Sequence, residues 1–256
     1  MKLIKGEALE EMAKLPDKSI DLILTDPPYG TTTCKWDTVI PLDKMWIQLK
    51  RIIKDNGAVV LFGSEPFSSY LRMSNIKDFK YDWIWQKELA GNGILAKIQP
   101  LKIHEIISVF CKHNYYPIKT KGEMRKKMGL KESEITGGKT FTNENINDDY
   151  YPKSIIKFSM GGYRTGRLHP TQKSTELMEY LIKTYTNEKE TVLDFTMGSG
   201  TTGVACKQLN RDFIGIELDG KYFKIAENRI KKAVRQNELF SEEAIQENIY
   251  SQKELL

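Results

Sequence analysis

Asp26, Pro27, Pro28 and Tyr29 close the apolar run Ile20-Asp21-Leu22-Ile23-Leu24-Thr25, and together they can hold a flat ring that bears an amino group. The run reads as a buried strand that the two prolines stop. Each proline locks φ near about −65° and lacks an N–H, so the backbone there is stiff and rich in acceptors. Asp26 offers a carboxylate and Pro27 a carbonyl in fixed geometry. These are two acceptors for the two N–H bonds of an exocyclic amine. Tyr29 offers an aromatic face for stacking on a nucleobase. The plainer reading of the tetrad is a strand-to-loop turn with a surface tyrosine.

A second constellation lies far along the chain. Thr191-Val192-Leu193-Asp194 reads as a short strand that runs into Phe195-Thr196-Met197-Gly198-Ser199-Gly200-Thr201-Thr202-Gly203. Glycines suit a tight turn and close approach of the backbone to a ligand. Val204, Ala205 and Leu209 mark a helix, and Phe213-Ile214-Gly215-Ile216-Glu217 a strand that ends in an acid. This is one βαβ half of a nucleotide-binding fold, with the acid placed to accept both hydroxyls of a ribose. Gly198, Gly200 and Gly203 also spell the dinucleotide fingerprint, so a nicotinamide oxidoreductase must be weighed, although that fingerprint alone is a weak signal. Its late start leaves too few residues for a full dinucleotide domain. Asp194 would repel a pyrophosphate, whereas it suits the ammonium of an amino acid. A ligand with adenine, ribose and an amino acid but no phosphate is S-adenosylmethionine.

These residues resemble an amino-group DNA methyltransferase, of the kind that methylates adenine at N6 or cytosine at N4. Asp-Pro-Pro-Tyr comes first and the Gly-rich loop last, which resembles the permuted β class. His169-Pro170-Thr171-Gln172-Lys173 resembles the remaining cofactor motif of that class. The resemblance runs from about Lys2 to about Lys232. Two positions depart from the family pattern. Asp194-Phe195-Thr196 stands where Asp-Pro-Phe is common, and Ser174 where Pro is common.

The resemblance implies an α/β fold, a doubly wound and mostly parallel Rossmann-like sheet of the S-adenosylmethionine-dependent type, with an inserted target-recognition region. Catalysis falls to Asp26, Pro27, Pro28 and Tyr29, acting on a flipped-out base by direct displacement without a metal. The methyl donor is S-adenosylmethionine. Its site takes in Glu7, Asp26, His169, Thr171, Lys173, Asp194, Phe195, Thr196, Gly198, Ser199, Gly200, Thr201, Thr202 and Glu217. Glu7 also reads as a helix-start acid favoured by the helix dipole. The substrate is double-stranded DNA. Asp at the first tetrad position leans toward adenine N6, with cytosine N4 as the alternative. A DNA-binding protein that has lost catalysis is disfavoured by the intact motifs. Dimers are common in the class, and a cognate restriction endonuclease is a further partner to expect.

Composition sets wider bounds. The chain has 256 residues, 40% of them hydrophobic, and a mean hydropathy of −0.47, which indicates a soluble globular protein. A net charge of +5 permits nucleic-acid binding without requiring it. No apolar run is long enough to span a membrane and no signal-peptide core is present, so a cytoplasmic location is expected. Cys34, Cys111 and Cys206 are scattered, which indicates neither a disulfide frame nor a zinc site. None follows a proline, so the Pro-Cys nucleophile in which cytosine C5 methyltransferases resemble one another is absent.

The first 30 or so residues read as strand, helix and strand. Thr31 to Val39 is polar and reads as a mobile loop. Met45, Leu49, Ile52 and Ile53 form a helical face ended near Gly57. Ala58 to Phe62 reads as a buried strand, Phe67, Tyr70 and Leu71 as a helix, and Tyr81–Trp85 and Ile106–Phe110 as paired strands. Lys87 to Gly93 between them reads as a flexible loop or an ordinary hairpin connection; the resemblance puts it near the target base.

Periodicity fades from 112 to 167, where basic and aromatic residues mix. The resemblance makes this the DNA-reading insertion, with Lys119, Lys121, Arg125, Lys126, Lys127, Arg164 and Arg167 on the DNA. A solvated insertion is the alternative. Residues 1–111 and 168–232 then form the catalytic domain, and 233–256 a charged tail.

Overall fold

Alternation along the apolar runs sorts their side chains between two layers of core. The computed structural model describes residues 1–31, 37–127, 145–160 and 172–235, and for 125–127 and 145–147 the backbone alone. In chain order the elements are β1 (Lys2–Lys5), α1 (Ala8–Ala13), β2 (Ile20–Thr25), α2 (Leu42–Ile52), β3 (Ile53–Gly63), α3 (Phe67–Ser74), β4 (Phe79–Gln86) and β5 (His104–Phe110). They continue with β6 (Thr120–Lys127), β7 (Asn145–Tyr150), β8 (Ile155–Lys157), α4 (Thr175–Tyr185), β9 (Thr191–Asp194), α5 (Thr201–Gln208), β10 (Asp212–Glu217) and α6 (Gly220–Lys232). No helix among the described residues is long and apolar enough to cross a membrane.

The chain divides into two compact units, one of Met1–Tyr116 and the chain from Ser154, the other of Pro117–Lys153. In the larger unit eight strands run in the order β1-β10-β9-β2-β3-β5-β4-β8. β1, β10, β9, β2 and β3 pair in parallel. Among the described strands of this sheet β5 alone runs against its neighbours, and β8 pairs in parallel with β4. Ala58, Val60 and Phe62 of β3 join the core that holds Leu177, Leu181, Ala205 and Ile230 of α4, α5 and α6. Val59 and Leu61 join the opposite core with Met12, Met45, Leu49 and Leu71 of α1, α2 and α3. Helices thus cover both faces of a mostly parallel sheet, the doubly wound arrangement expected.

The strand order reverses between β2 and β9. From β2 the chain crosses to β3 on one side, and from β9 to β10 on the other. Open α/β sheets bind ligands outside the carboxyl ends of strands at such a reversal.

Two local readings are corrected. Ile53 caps α2 in an extended conformation and starts β3, so the helix ends at Ile52 rather than near Gly57. Gly57 lies within β3, where a Cβ would stand 2.8 Å from the Asp21 carbonyl oxygen. The polar loop after Tyr29 is pinned at its far end, because buried Asp37 accepts the N–H groups of Tyr29, Gly30 and Thr31 at 2.8, 2.9 and 2.9 Å. Residues 32–36 lie outside the described residues.

The smaller unit is an antiparallel pair of β6 and β7, with Thr120 opposite Tyr150 and Lys127 opposite Asn145. Its limits lie inside the stretch 112–167. The Asn114 and Tyr116 N–H groups donate to Asn56 and Thr184, and β8 returns to the main sheet.

Gly203 in α5 carries a packing requirement. A Cβ there would stand 2.7 Å from Phe213 Cε1 and 3.0 Å from Ile230 Cγ1. Gly to Ala inside an exposed helix ordinarily stabilises by about 1 kcal/mol. We expect Gly203→Ala to reverse that sign and destabilise by about 1–3 kcal/mol. Ile230→Val should recover part of the loss in thermal denaturation.

Candidate active site

Two hydroxyls and one carboxylate join the strands at the reversal. Thr25 closes β2 and donates to Asp194 Oδ1 at the end of β9, at 2.6 Å. Thr202, in the first turn of α5, donates to Asp194 Oδ2 at 2.6 Å, and the Thr196 N–H to Oδ1 at 3.2 Å. Burial lifts the Asp194 carboxyl to a pKa of about 6, although the bonds from Thr202, Thr25 and Thr196 oppose the rise. Asp194 faces the ligand cavity, but these three donors occupy most of its acceptor capacity. Its first task is to hold the strand ends and α5 together.

The tetrad follows directly. Asp26 Oδ1 accepts a short hydrogen bond from the Tyr29 hydroxyl, and Oδ2 accepts from Lys173 Nζ at 2.6 Å. Lys173 lies 5.1 Å from the centre of the Phe62 ring, a cation–π contact, and 3.1 Å from Glu105 Oε2. The other Glu105 oxygen accepts from Lys87 Nζ at 3.0 Å. Asp26, Lys173, Glu105 and Lys87 therefore form a chain of alternating charge. Burial raises the Asp26 carboxyl; Lys173 and Tyr29 pull it back, while the like charge of Glu105 adds to the rise. Burial also pushes the Tyr29 phenol well above its usual range, reinforced by the negative charge of Asp26. One Tyr29 face stacks on Phe67 with ring centres 5.1 Å apart. Among the described residues no donor reaches the Pro27 carbonyl, so it is free to accept.

Both strand ends open into one cavity of about 740 Å³, a size that takes small ligands. Phe195 and Met197 supply apolar wall. Glu217 ends β10; its Oε2 accepts the Gly198 N–H at 2.9 Å and its Oε1 the Asp219 N–H at 2.8 Å. Each oxygen keeps one acceptor site, which is what a vicinal diol requires. Burial raises the Glu217 carboxyl against those two bonds. Among the described residues six carboxylates line the cavity (Glu7, Asp26, Asp37, Asp194, Glu217 and Asp219) against two lysines, Lys5 and Lys173. Such a wall repels phosphate and favours a cationic ligand. The Gly198 N–H, which a dinucleotide phosphate would need, is already spent on Glu217. The nicotinamide alternative falls on these two facts.

The expected cofactor residues divide. Glu7, Asp26, Lys173, Asp194, Phe195, Thr196, Gly198, Ser199, Thr201, Thr202 and Glu217 all line the cavity. Glu7 also serves as the expected helix-start acid, its carboxylate accepting the Glu10 N–H at 2.9 Å. Gly200 does not line it. Gly200 caps α5 with φ +77°, and a Cβ there would stand 2.8 Å from Ala226 Cβ, so its smallness serves helix packing. His169, Thr171, Arg164, Arg167 and the tail beyond 235 lie outside the described residues. Lys121 pairs with Asp148 and Asp149 at 2.9 and 2.8 Å, and Lys119 lies 4.8 Å from the Tyr151 ring centre. Arg125, Lys126 and Lys127 lie on β6.

Sequence reasoning missed Thr25, Asp37, Phe62, Phe67, Glu105 and Arg229. Arg229 of α6 donates to the Ser199 carbonyl at 2.5 Å and to Thr201 Oγ1 at 3.2 Å, which pins the Gly-rich turn. Only Asp37, close to the tetrad in the chain, offered a local signal.

The fold and cavity define a nucleotide-binding α/β enzyme whose acid-rich cavity suits a cationic, phosphate-free ligand beside the Asp26–Tyr29 tetrad. The DNA methylase family of N6/N4 enzymes matches residues 20–228. The chain belongs to that family: it is an S-adenosylmethionine-dependent DNA methyltransferase. It is 30% identical to the Type II methyltransferase M.HpaI of Haemophilus parainfluenzae, over 90% of this chain and 74% of that one. It is 26% identical to the DNA adenine methyltransferase YhdJ of Escherichia coli K12, over 90% and 83%. The M1.HpyAVI–SAM complex superposes with a TM-score of 0.62 at 27% identity, covering 90% of this chain and 98% of that one.

The junction gives a pH prediction. The Asp194 pKa is about 6 in the fold and about 3.9 unfolded. Stability from the protonated form is full below about pH 4 and is lost as pH rises through about 6. Asp194→Asn should flatten this part of the stability curve between pH 4 and 7, measured by urea denaturation. Asp194→Ala leaves Thr25 and Thr202 without their buried acceptor and should lower stability by about 3 kcal/mol.

Proposed function

We propose that this chain methylates N6 of adenine in double-stranded DNA. The carrying observation is that Asp26 and Pro27 line the same cavity as Glu217. The adenine choice is supported by Asp at the first tetrad position and by the adenine specificity in the name of YhdJ. Cytosine N4 is the second reading, because the same two acceptors serve either amine. Nucleoside analysis of DNA methylated by the purified protein separates the two.

The adenine amine is a poor nucleophile because its lone pair is delocalised into the ring. Asp26 and the Pro27 carbonyl accept its two N–H bonds, which pulls the nitrogen toward tetrahedral geometry and localises the lone pair. The Tyr29 face not covered by Phe67 stacks on the extruded base and offsets part of the few kcal/mol that flipping costs. The bound cofactor supplies an electrophilic methyl group on a sulfonium centre. Glu217 would hold the ribose diol, Phe195 would supply apolar wall, and the acid-rich wall would favour the cationic end. Catalysis rests on orientation and charge placement, with no covalent enzyme intermediate.

The insertion is proposed to read DNA, with Arg125, Lys126 and Lys127 contacting phosphates and Lys119, Lys121, Arg164 and Arg167 in support. The cytoplasm is the proposed site of action. A second copy of the chain and a cognate restriction endonuclease are the further partners proposed from the resemblance.

Asp26→Ala should abolish methylation with cofactor affinity nearly unchanged. Glu217→Ala should weaken cofactor binding about 10–100-fold by calorimetry. Near-normal turnover in the first, or unchanged affinity in the second, removes that residue from its role. Changing Arg125, Lys126 and Lys127 together to Gln should weaken DNA binding and reduce the salt slope by up to about three. An unchanged slope in a salt titration would make this cluster a solvated face.

A further inference from the structure

Lys173 creates a problem for the tetrad. Its ammonium holds Asp26 Oδ2 at 2.6 Å, on the carboxylate that must accept the incoming amine. A buried ammonium cannot simply leave, because an unpaired charge in that setting is costly. Burial would lower the Lys173 pKa, but Asp26 and Glu105 outweigh it and keep the group charged. It therefore needs a second anionic partner within reach.

Glu105 is that partner. It projects from β5, and its Oε2 is buried 3.1 Å from Lys173 Nζ. Among the described residues Oε2 is met only by this ammonium, as an ion pair. Lys87 holds the opposite oxygen at 3.0 Å and fixes the carboxylate in place. Both lysines also lie near aromatic rings, Lys173 over Phe62 at 5.1 Å and Lys87 over Trp85 at 5.9 Å.

We propose that Glu105, set by Lys87, is a positioning residue that draws the Lys173 ammonium away from Asp26 when the target amine arrives. The ammonium moves by a fraction of its contact distance and stays paired throughout. Asp26 then has Oδ2 available for the substrate N–H, while the Tyr29 hydroxyl keeps Oδ1 and the carboxylate orientation. This rests on the reading of Asp26 as the amine acceptor.

The charge arrangement gives a signature that packing alone would not. The charged or titratable groups facing Asp26 are Lys173, Glu105, Tyr29 and, from β9, Asp194. Activity needs ionised Asp26, so it is lost as pH falls through the Asp26 pKa. The negative charge of Glu105 raises that pKa, and Lys87 offsets Glu105.

The test is a pH–rate profile of the full-length protein with duplex DNA and S-adenosylmethionine, with calorimetry of cofactor binding alongside. Glu105→Gln should lower kcat about tenfold, leave cofactor affinity unchanged and move the acid limb to lower pH by about one unit. Lys87→Gln should move the acid limb to higher pH, because it exposes the full charge of Glu105. Glu105→Asp should recover part of the lost kcat. A folded Glu105→Gln protein with wild-type kcat and an unmoved acid limb overturns the proposal. If that variant does not fold, Lys87→Gln decides: an upward shift supports the proposal and an unmoved limb overturns it. Asp26→Ala separates the two levels. Retained activity there sinks the reading of Asp26 itself, whereas an inactive Asp26→Ala with an unaffected Glu105→Gln sinks the role of Glu105 alone.

Discussion

The hydrogen bond from Thr25 to Asp194 joins residues 169 positions apart in the chain. One partner ends the strand that delivers the Asp26–Tyr29 tetrad. The other ends the strand that delivers the Gly-rich turn. Parallel pairing of β2 with β9 brings these ends level, with Leu22 opposite Val192 and Ile23 opposite Leu193. The buried carboxylate then binds α5 through Thr202 and the turn through Thr196. Without this junction the two halves of the site would have no common origin. A motif order that starts with the tetrad and ends with the cofactor loop builds one cavity because the sheet, and not the chain, sets adjacency.

Low dielectric governs what the cavity accepts. Asp194 is buried, and Asp26 and Glu217 are partly so, so their charges act over several ångströms with reduced screening. The carboxylate excess along the wall excludes phosphate and suits a cation. Beside Asp26, a lysine opposes the rise that burial imposes on the carboxyl. That lysine is itself shared with a second acid, and the second acid with a second lysine. The alternating chain from Asp26 to Lys87 is near neutral as a whole, which is the condition for keeping four charges inside a protein.

Much of the fold was legible because apolar strands in a doubly wound sheet are nearly continuous runs. Ile20–Thr25, Ala58–Phe62 and Thr191–Asp194 all stood out in this way. Ile53 misled because an apolar residue directly after a helix fits the helical stripe as well as a strand. Gly57 looked like a helix stop, yet a close approach of the Asp21 carbonyl is what requires it. The pair β6 and β7 was hidden because its residues are charged and alternate without an apolar face. Gly200 and Gly203 looked like ligand contacts, yet their lack of a side chain serves the packing of α5 against α6.

By itself the sequence determined the two chemical poles of this enzyme, Asp26 to Tyr29 and Asp194 to Glu217. Each is a contiguous segment whose backbone chemistry is local: prolines that end a strand, and glycines that permit a turn. Tertiary structure alone decided how the poles are wired. Lys173, Glu105 and Lys87 carry no shared motif, and the chain they form, which meets Asp26 through Lys173, follows from β5 and the segment before α4 reaching the end of β2. Asp194 shows the same division. Its identity as an acid after a strand was plain, but whether it would face a ligand or two threonines depended on which strand lay beside it. Electrostatic and hydrogen-bond partners are set by distance in space, and the sheet order that sets those distances is a property of the whole chain.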